Sequence, residues 1–353
     1  MKEILFLTDT HLKKDNFDLN YNIFKQACEL CVERRINMII HVGDIFTVRT
    51  GLTLEVLLGF VEIMNMIKSY GIDILAIAGN HDKSNLSDRS SFLDVFESWG
   101  LEVCHSETEI RFGKNVINFL PYFPEDTVYL QKLNIINENA EINKRPRILV
   151  THASINGVKN NDGSKVDNEL KTNLFKHFEL VFVGHYHNRS KVSKNIHYIG
   201  SAMPQNFGED NDKGFVILKE DLTFHTYKPN FPHYYTFEFD ADDENFKKDI
   251  EVSYKEHKDS KDHIRFKISG SQENLEKFDK SKFLESGIIV LIENVHIIRN
   301  SESVSSSGKI KQTNGDLLKY FVEYCKEIEA STQQTKVGLK HFRASINVSN
   351  KES

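Results

Sequence analysis

The sequence predicts an α/β fold: a two-layer mixed β-sandwich flanked by helices, followed by a small βαβαβ domain. Three observations carry this. Short apolar runs alternate with amphipathic helical patterns at the start of the chain, a rhythm that demands largely parallel strands joined by right-handed crossovers. After Gly113 strand patterns continue while the helices thin out, which suits a second sheet better than one doubly wound sheet. At Pro229-Asn230-Phe231-Pro232 two prolines interrupt the pattern, and a fresh βαβαβ order begins.

The elements follow in order. Residues 4–8 read as a buried strand, 21–35 as an amphipathic helix, 37–42 as a second strand and 52–70 as a second helix. Residues 74–78 form a third strand, followed by a helix near 90–99. Strands are then expected at 116–120, 148–151, 180–183, 197–199 and 215–218, with loops or short helices between them. Past the prolines, strands at 234–239, 264–268 and 288–298 enclose helices at 243–257 and 272–283. Residues 301–308 are Ser-rich and read as a flexible loop. An N-cap candidate at Asp316 and apolar residues Leu317, Leu318, Phe321, Val322 and Cys325 give a last helix over 316–330. The division that results is 1–230, 231–300 and a tail of 301–353.

A length of 353 residues suits a main domain plus an appendage, and 39% apolar against 27% charged residues excludes general disorder. Lys and Arg number 45 against 51 Asp and Glu, a net charge of −6 that argues against a basic, groove-filling DNA binder. Positive charge could still arrive as bound metal. Four cysteines are too few and too irregular for a secreted disulfide scaffold. The apolar start turns polar at Thr8-Asp9, too early for a signal peptide, and no run reaches a membrane span. A cytoplasmic protein is the expectation.

Fifteen histidines are many, and their placement is informative. Asp9-Thr10-His11, Gly43-Asp44, Gly79-Asn80-His81-Asp82, Thr151-His152 and Gly184-His185-Tyr186-His187 each follow or close an apolar strand. In a parallel-rich sheet such carboxyl ends converge on one edge, where ligands bind. Each segment alone is more often a turn than a site; the ordered set is much stronger evidence. It would gather Asp9, His11, Asp44, Asn80, His152, His185 and His187. Seven N/O ligands without a thiolate exceed one tetrahedral zinc site and suit two divalent ions such as Mn, Fe, Co or Zn. A shared carboxylate would hold such ions about 3.5–4 Å apart. Glycines before Asp44, Asn80 and His185 would let backbone approach closely.

This ordered set resembles the calcineurin-like metallophosphoesterase superfamily over roughly residues 1–230, with Gly-Asn-His-Asp and Gly-His-x-His its most specific parts. The resemblance implies that Asp9, His11 and His187 hold one metal and Asn80, His152 and His185 the other, with Asp44 bridging. It implies that His81 faces the substrate phosphate and that Asp82 orients and polarises His81. Manganese is the first expectation, with Mg, Fe, Co and Zn as alternatives. Gly43-Asp44-Ile45-Phe46, the stretch from Tyr198 to Glu209 and Lys213-Gly214-Phe215 are similar to the SbcD branch of DNA repair and recombination nucleases. Residues 231–300 match in order and size the cap those nucleases place over DNA. Ala202 stands where that branch often has Pro, and Thr10 where Trp or Asn is common; neither is a proposed ligand.

The branch implies a DNA exo- or endonuclease, a homodimer, working with an SbcC-like coiled-coil ATPase on which the 316–330 helix could dock. A phosphatase or phosphodiesterase acting on small molecules or proteins is the alternative. Among weaker candidates, Arg49 could reach a substrate phosphate, though a solvated loop charge is as good a reading. His41 reads as a core histidine behind Asp44, and Cys28 and Cys31 as inward-facing helix residues. The lysines at 247–248 and 255–261 are interleaved with acids and read as a solvated face.

Overall fold

The computed structural model describes residues 2–294 apart from 48–50, 84–89, 144–146 and 160–163. Arg49, the Ser-rich segment and the helix expected at 316–330 lie outside the described residues.

Strands β1 (Glu3–Leu7), β2 (Met38–His41), β3 (Asp73–Ile77) and β4 (Leu101–Cys104) run parallel. They are joined by α1 (Phe17–Arg34), α2 (Leu54–Ser69) and a 3-10 helix at Phe92–Trp99. The chain then builds a second sheet from β5 (Thr108–Phe112), β6 (Asn115–Leu120), β7 (Arg147–His152), β8 (Leu180–Gly184), β9 (Ser190–Lys191) and β10 (Ile196–Tyr198). Helix α3 (Asp126–Asn143) connects β6 to β7. Strands β11 (Phe215–Lys219) and β12 (Phe224–Tyr227) return antiparallel to the first sheet. The orders are β12-β11-β1-β2-β3-β4 and β5-β6-β7-β8-β10-β9, both mixed.

Alternation along β1 shows how the layers form. Ile4 and Phe6 belong to an apolar cluster with Ile117, Phe119, Ile148, Val150 and Phe182 of the second sheet. Leu5 and Leu7 join the helix side with Ile23, Phe24, Phe60 and Ile63. A period of two with both faces buried gives a continuous apolar run, because each face has its own layer. On the far side of the second sheet, Leu149, Val181 and Val183 pack with Tyr129, Leu133 and Ile136 of α3. The expected two-layer mixed sandwich flanked by helices is the observed fold.

The differences are local. The segment expected as an α-helix near 90–99 is a 3-10 helix, capped by Ser91 and ended by Gly100 in the left-handed region. Helix α3, with 18 residues, is longer than the loops or short helices expected between these strands, and Tyr129, Leu133 and Ile136 mark its buried face.

The chain divides into two compact units, one of Met1–Phe237, Glu256–Arg265 and Ser286–Ile288, the other of Glu238–Lys255, Phe266–Glu285 and the chain from Ile289. Past β12 the elements are β13 (Tyr234–Asp240), α4 (Phe246–His257), β14 (His263–Gly270), α5 (Gln272–Glu276), α6 (Ser281–Glu285) and β15 (Ile289–Asn294), with a sheet ordered β13-β14-β15. One helix was expected where α5 and α6 stand; the Asp279 carboxylate accepts from the Ser281 amide and starts a second one. Phe266, Phe278 and Phe283 pack together in the second unit, with Phe246 against Phe278. Among the described residues no helix is long and apolar enough to cross a membrane.

Candidate metal centre

The topology brings the motif segments together. β1, β2 and β3 are parallel neighbours, as are β7 and β8, so their carboxyl ends open on one edge of the sandwich. Asp9 and His11 follow β1, Asp44 follows β2, Asn80, His81 and Asp82 follow β3, His152 ends β7, and His185 and His187 follow β8. The turns are strained there. Asp9, His11, Asp44 and His185 have φ of 52°, 46°, 56° and 93°, four of the six non-glycine residues with positive φ among those described. Such backbone costs of order 1–3 kcal/mol per residue and persists where its surroundings enforce it.

Two sets of ligand atoms result, Asp9 with His11 and His187, and Asp44 with His152 and His185; within each set the atoms lie within 4.8 Å of one another. His11 Nε2 is 3.0 Å from His187 Nε2, and each is 3.8 Å from Asp9 Oδ1. Asp9 Oδ2 accepts from Thr8 Oγ1 at 2.6 Å and from the His185 amide at 3.1 Å, while Oδ1 is buried with no hydrogen-bond partner. Asp44 Oδ1 accepts from the His81 amide at 2.8 Å. Asp44 Oδ2 is 3.3 Å from His152 Nε2 and 3.9 Å from His11 Nε2, so it faces both sets. Asn80 Oδ1 completes the second set, 3.2 Å from His152 Nε2 and 2.9 Å from His185 Nδ1.

Tautomers sharpen the picture. His152 Nδ1 donates to the Val42 carbonyl at 2.8 Å, and His187 Nδ1 donates to Glu209 Oε1 at 2.8 Å. Each neutral ring therefore presents a lone pair at Nε2. Acceptor atoms of His187, His152, Asp9, Asp44 and Asn80 are thus crowded together, with His11 Nε2 3.0 Å from His187 Nε2. A donor set of nitrogen and oxygen lone pairs without thiolate fits hard-to-borderline divalent ions, and Asp9 Oδ1 lacks a partner that such an ion would be. Without an ion, a proton takes up part of this crowding. Burial opposes charging His152, yet Asp44 holds it up at about 9. Burial against the same cluster pushes His185 down to about 4, with positive His152 adding to the effect.

Close backbone approach is needed at two glycines. A Cβ at Gly79 would lie 2.1 Å from Asp44 Oδ1, and one at Gly184 would lie 2.4 Å from the Val42 carbonyl. Asp82 is fully buried, and its carboxylate accepts from the amides of Asp44 at 2.8 Å, Gly79 at 2.9 Å and Phe46 at 3.0 Å. It clamps the loops after β2 and β3. His81 Nδ1 donates to the Thr47 carbonyl at 2.8 Å. Burial and Asp44 push the Asp82 carboxyl up to about 7.

A cavity of about 350 Å³ opens over the ligands, lined by His11, Asp44, Asn80, His81, His185 and His187 together with Lys13, Thr47 and Gln205. Lys13 belongs to no motif, and Gln205 lies in the stretch from Tyr198 to Glu209 without a role assigned to it from sequence. Thr47 Oγ1 and Asn16 Nδ2 both donate to the His11 carbonyl, at 2.7 and 2.9 Å, and tie down the loop after β1. Sequence reasoning assigned no contact to Glu209 or to Lys213. The signal lay in Glu209 and Lys213 being four residues apart on the loop after His187, which alone is too common to read. His41 is buried, its Nε2 3.0 Å from Thr10 Oγ1. Cys28 and Cys31 are buried in α1, and burial pushes both thiols up to about 12, which keeps them unreactive.

Comparison with known proteins adds the family. The calcineurin-like phosphoesterase model matches residues 2–189, more than half of the chain. Exonuclease subunit 1 of Enterobacteria phage T4 is 26% identical over 237 residues, covering 65% of this chain and 68% of that one. The DNA double-strand break repair protein Mre11 of Sulfurisphaera tokodaii is 24% identical over 198 residues, 53% of this chain and 49% of that one. Mre11 of Saccharolobus solfataricus is 34% identical over 88 residues, 23% of each chain. With the family's span ending just past the last of these ligands and its dinuclear chemistry matched by two ligand sets, the chain belongs to the calcineurin-like phosphoesterases and is a metal-dependent hydrolase of phosphoesters.

Proposed function

We propose that this phosphoesterase cleaves DNA phosphodiesters, as the nuclease subunit of a repair or recombination complex. The carrying observation is the pair of lone-pair clusters with Asp44 Oδ2 facing both. In this reading Asp9, His11 and His187 hold one ion, Asn80, His152 and His185 the other, and Asp44 bridges them. When bound, two divalent ions, manganese first among them, supply Lewis-acid stabilisation of phosphate charge and activation of water. The chain's own groups do the rest. Asp82 fixes the two loops that carry Asp44 and Asn80. With His81 Nδ1 engaged by Thr47, proton donation to the leaving oxygen falls to Nε2.

The choice of DNA rests on relatives named as an exonuclease subunit and as double-strand break repair proteins. An SbcC-like ATPase partner, a homodimer and a cap formed by residues 231–300 belong to the same reading. Manganese-dependent digestion of linear duplex and single-stranded DNA, run beside cleavage of a chromogenic phosphodiester, tests it. Digestion of DNA supports the nuclease. Turnover of the small ester alone assigns the site to a small-molecule phosphodiesterase and overturns the proposal.

A further inference from the structure

The two ligand sets differ in what holds their imidazoles. In the set with Asp44, His152 leans on a neutral backbone carbonyl, that of Val42. In the set with Asp9, His187 leans on a carboxylate, Glu209 Oε1 at 2.8 Å. Glu209 is itself held: Oε1 also accepts from Asn206 Nδ2 at 2.8 Å, and Oε2 accepts from the Gln205 amide at 3.1 Å. Lys213, whose side chain is fully buried, sits with Nζ 3.3 Å from Glu209 Oε2. The same ammonium donates to the His187 carbonyl at 2.7 Å and to Asn188 Oδ1 at 2.7 Å. A closed circuit therefore runs from the His187 ring through Glu209 and Lys213 back to the His187 backbone. Burying an acid and a lysine is costly unless they are paired, and an apolar pair would pack this turn as well.

We infer that Glu209, backed by Lys213, is a positioning residue that fixes the tautomer and orientation of His187 and strengthens its Nε2 as a metal donor, so that the Asp9–His11–His187 site owes its affinity to a carboxylate the opposite site lacks. A charged acceptor on Nδ1 makes the ring more basic at Nε2 than a carbonyl does. This rests on the dinuclear reading.

The test uses the full-length metal-free protein titrated with Mn²⁺, following the free-ion signal by electron paramagnetic resonance. The wild type binds two ions. Glu209→Gln keeps the shape and an acceptor oxygen but loses the charge; it weakens one ion roughly 10–100-fold and leaves the other unchanged. Glu209→Asp, with its carboxylate drawn back by one methylene, weakens the same ion. In a His187→Ala background the Glu209 substitutions add nothing, because the contact they act through is gone. A folded Glu209→Gln protein that binds both ions like the wild type overturns the inference, and so does one that loses both ions equally. A wild type that binds fewer than two ions overturns the dinuclear reading instead.

Discussion

His81 is distinguished from the seven ligands by its partners. Its amide serves Asp44 and its Nδ1 serves the Thr47 carbonyl, while its ring stands edge-on to His11 with centroids 5.0 Å apart. The bond to Asp44 comes from the backbone amide, which survives replacement of the ring. His81→Ala is therefore expected to lower kcat by about 10²–10⁴-fold, the usual worth of a positioned proton donor, with Mn²⁺ content unchanged. Elemental analysis beside the rate decides it; loss of metal with the rate would move His81 into the ligand set. His41 offers a pH prediction. Burial pushes its imidazole down to about 3 from an ordinary 6.5. Between those values the unfolded chain binds a proton that the folded one refuses. The contribution of His41 to stability is thus full above about pH 6.5 and is lost as pH falls toward 3, at up to about 1.4 kcal/mol per pH unit, while Asp82, pushed up to about 7, acts in the opposite sense. Urea unfolding of the metal-free protein and of His41→Gln at pH 7 and pH 5 isolates the share of His41: the variant should keep more of its pH 7 stability at pH 5 than the wild type does, and an identical change in both would show that His41 is not a contributor. The candidate metal ligands were legible because each stands at a strand end inside a short motif. Glu209 was not, because its partner His187 is 22 residues away, across β9, β10 and the loop after them, where no period points from one to the other.

The elements were legible where one rule sufficed. Apolar runs buried on both faces announced β1, β2, β3, β7 and β8, and the parallel pairing of their neighbours then fixed where the site must lie. The length of helix α3 was not legible because its deeply buried positions are few: among its described side chains these are Tyr129, Leu133 and Ile136. The break between α5 and α6 escaped because it depends on one side-chain cap, Asp279, inside an otherwise helical pattern. The strand-to-loop junction after β3 carries a prediction at this scale. Gly79 donates its amide to Asp82 Oδ2 at 2.9 Å, and its Cα faces the Asp44 carboxylate and amide. A methyl there, 2.1 Å from Asp44 Oδ1 and 2.5 Å from Asp44 N, meets backbone that cannot swing away. Gly79→Ala should cost about 1–3 kcal/mol by overpacking and should displace Asp44, so that metal binding falls at both sites together. Calorimetry of the metal-free protein and an Mn²⁺ titration measure the two effects. Unchanged binding would mean that the β2 and β3 loops can part without moving the ligands.

On the scale of the whole chain, the net charge of −6 sets a limit on how DNA can be held. Affinity for duplex that comes from lysine and arginine contacts falls with salt, log K changing by about −0.9 per phosphate neutralised. Of the described residues lining the cavity over the ligands, Lys13 alone carries a permanent positive charge. Two divalent ions would bring four more charges to the place where a phosphate must sit, so the metal-loaded chain should grip DNA locally rather than along an extended basic track. The expected result is that metal-free protein binds duplex DNA weakly, with a slope of log K against log salt no steeper than about −3. A Ca²⁺-loaded form, in which cleavage is slow enough for equilibrium titration, should bind more tightly through a small number of additional phosphate contacts. Fluorescence anisotropy over a range of salt measures both slopes. A steep slope near −6 or beyond without metal would reveal an extended basic surface that the charge balance argues against. A shallow one is what the proposed nuclease reading requires, with the bound ions, and in that reading a partner subunit, holding the DNA.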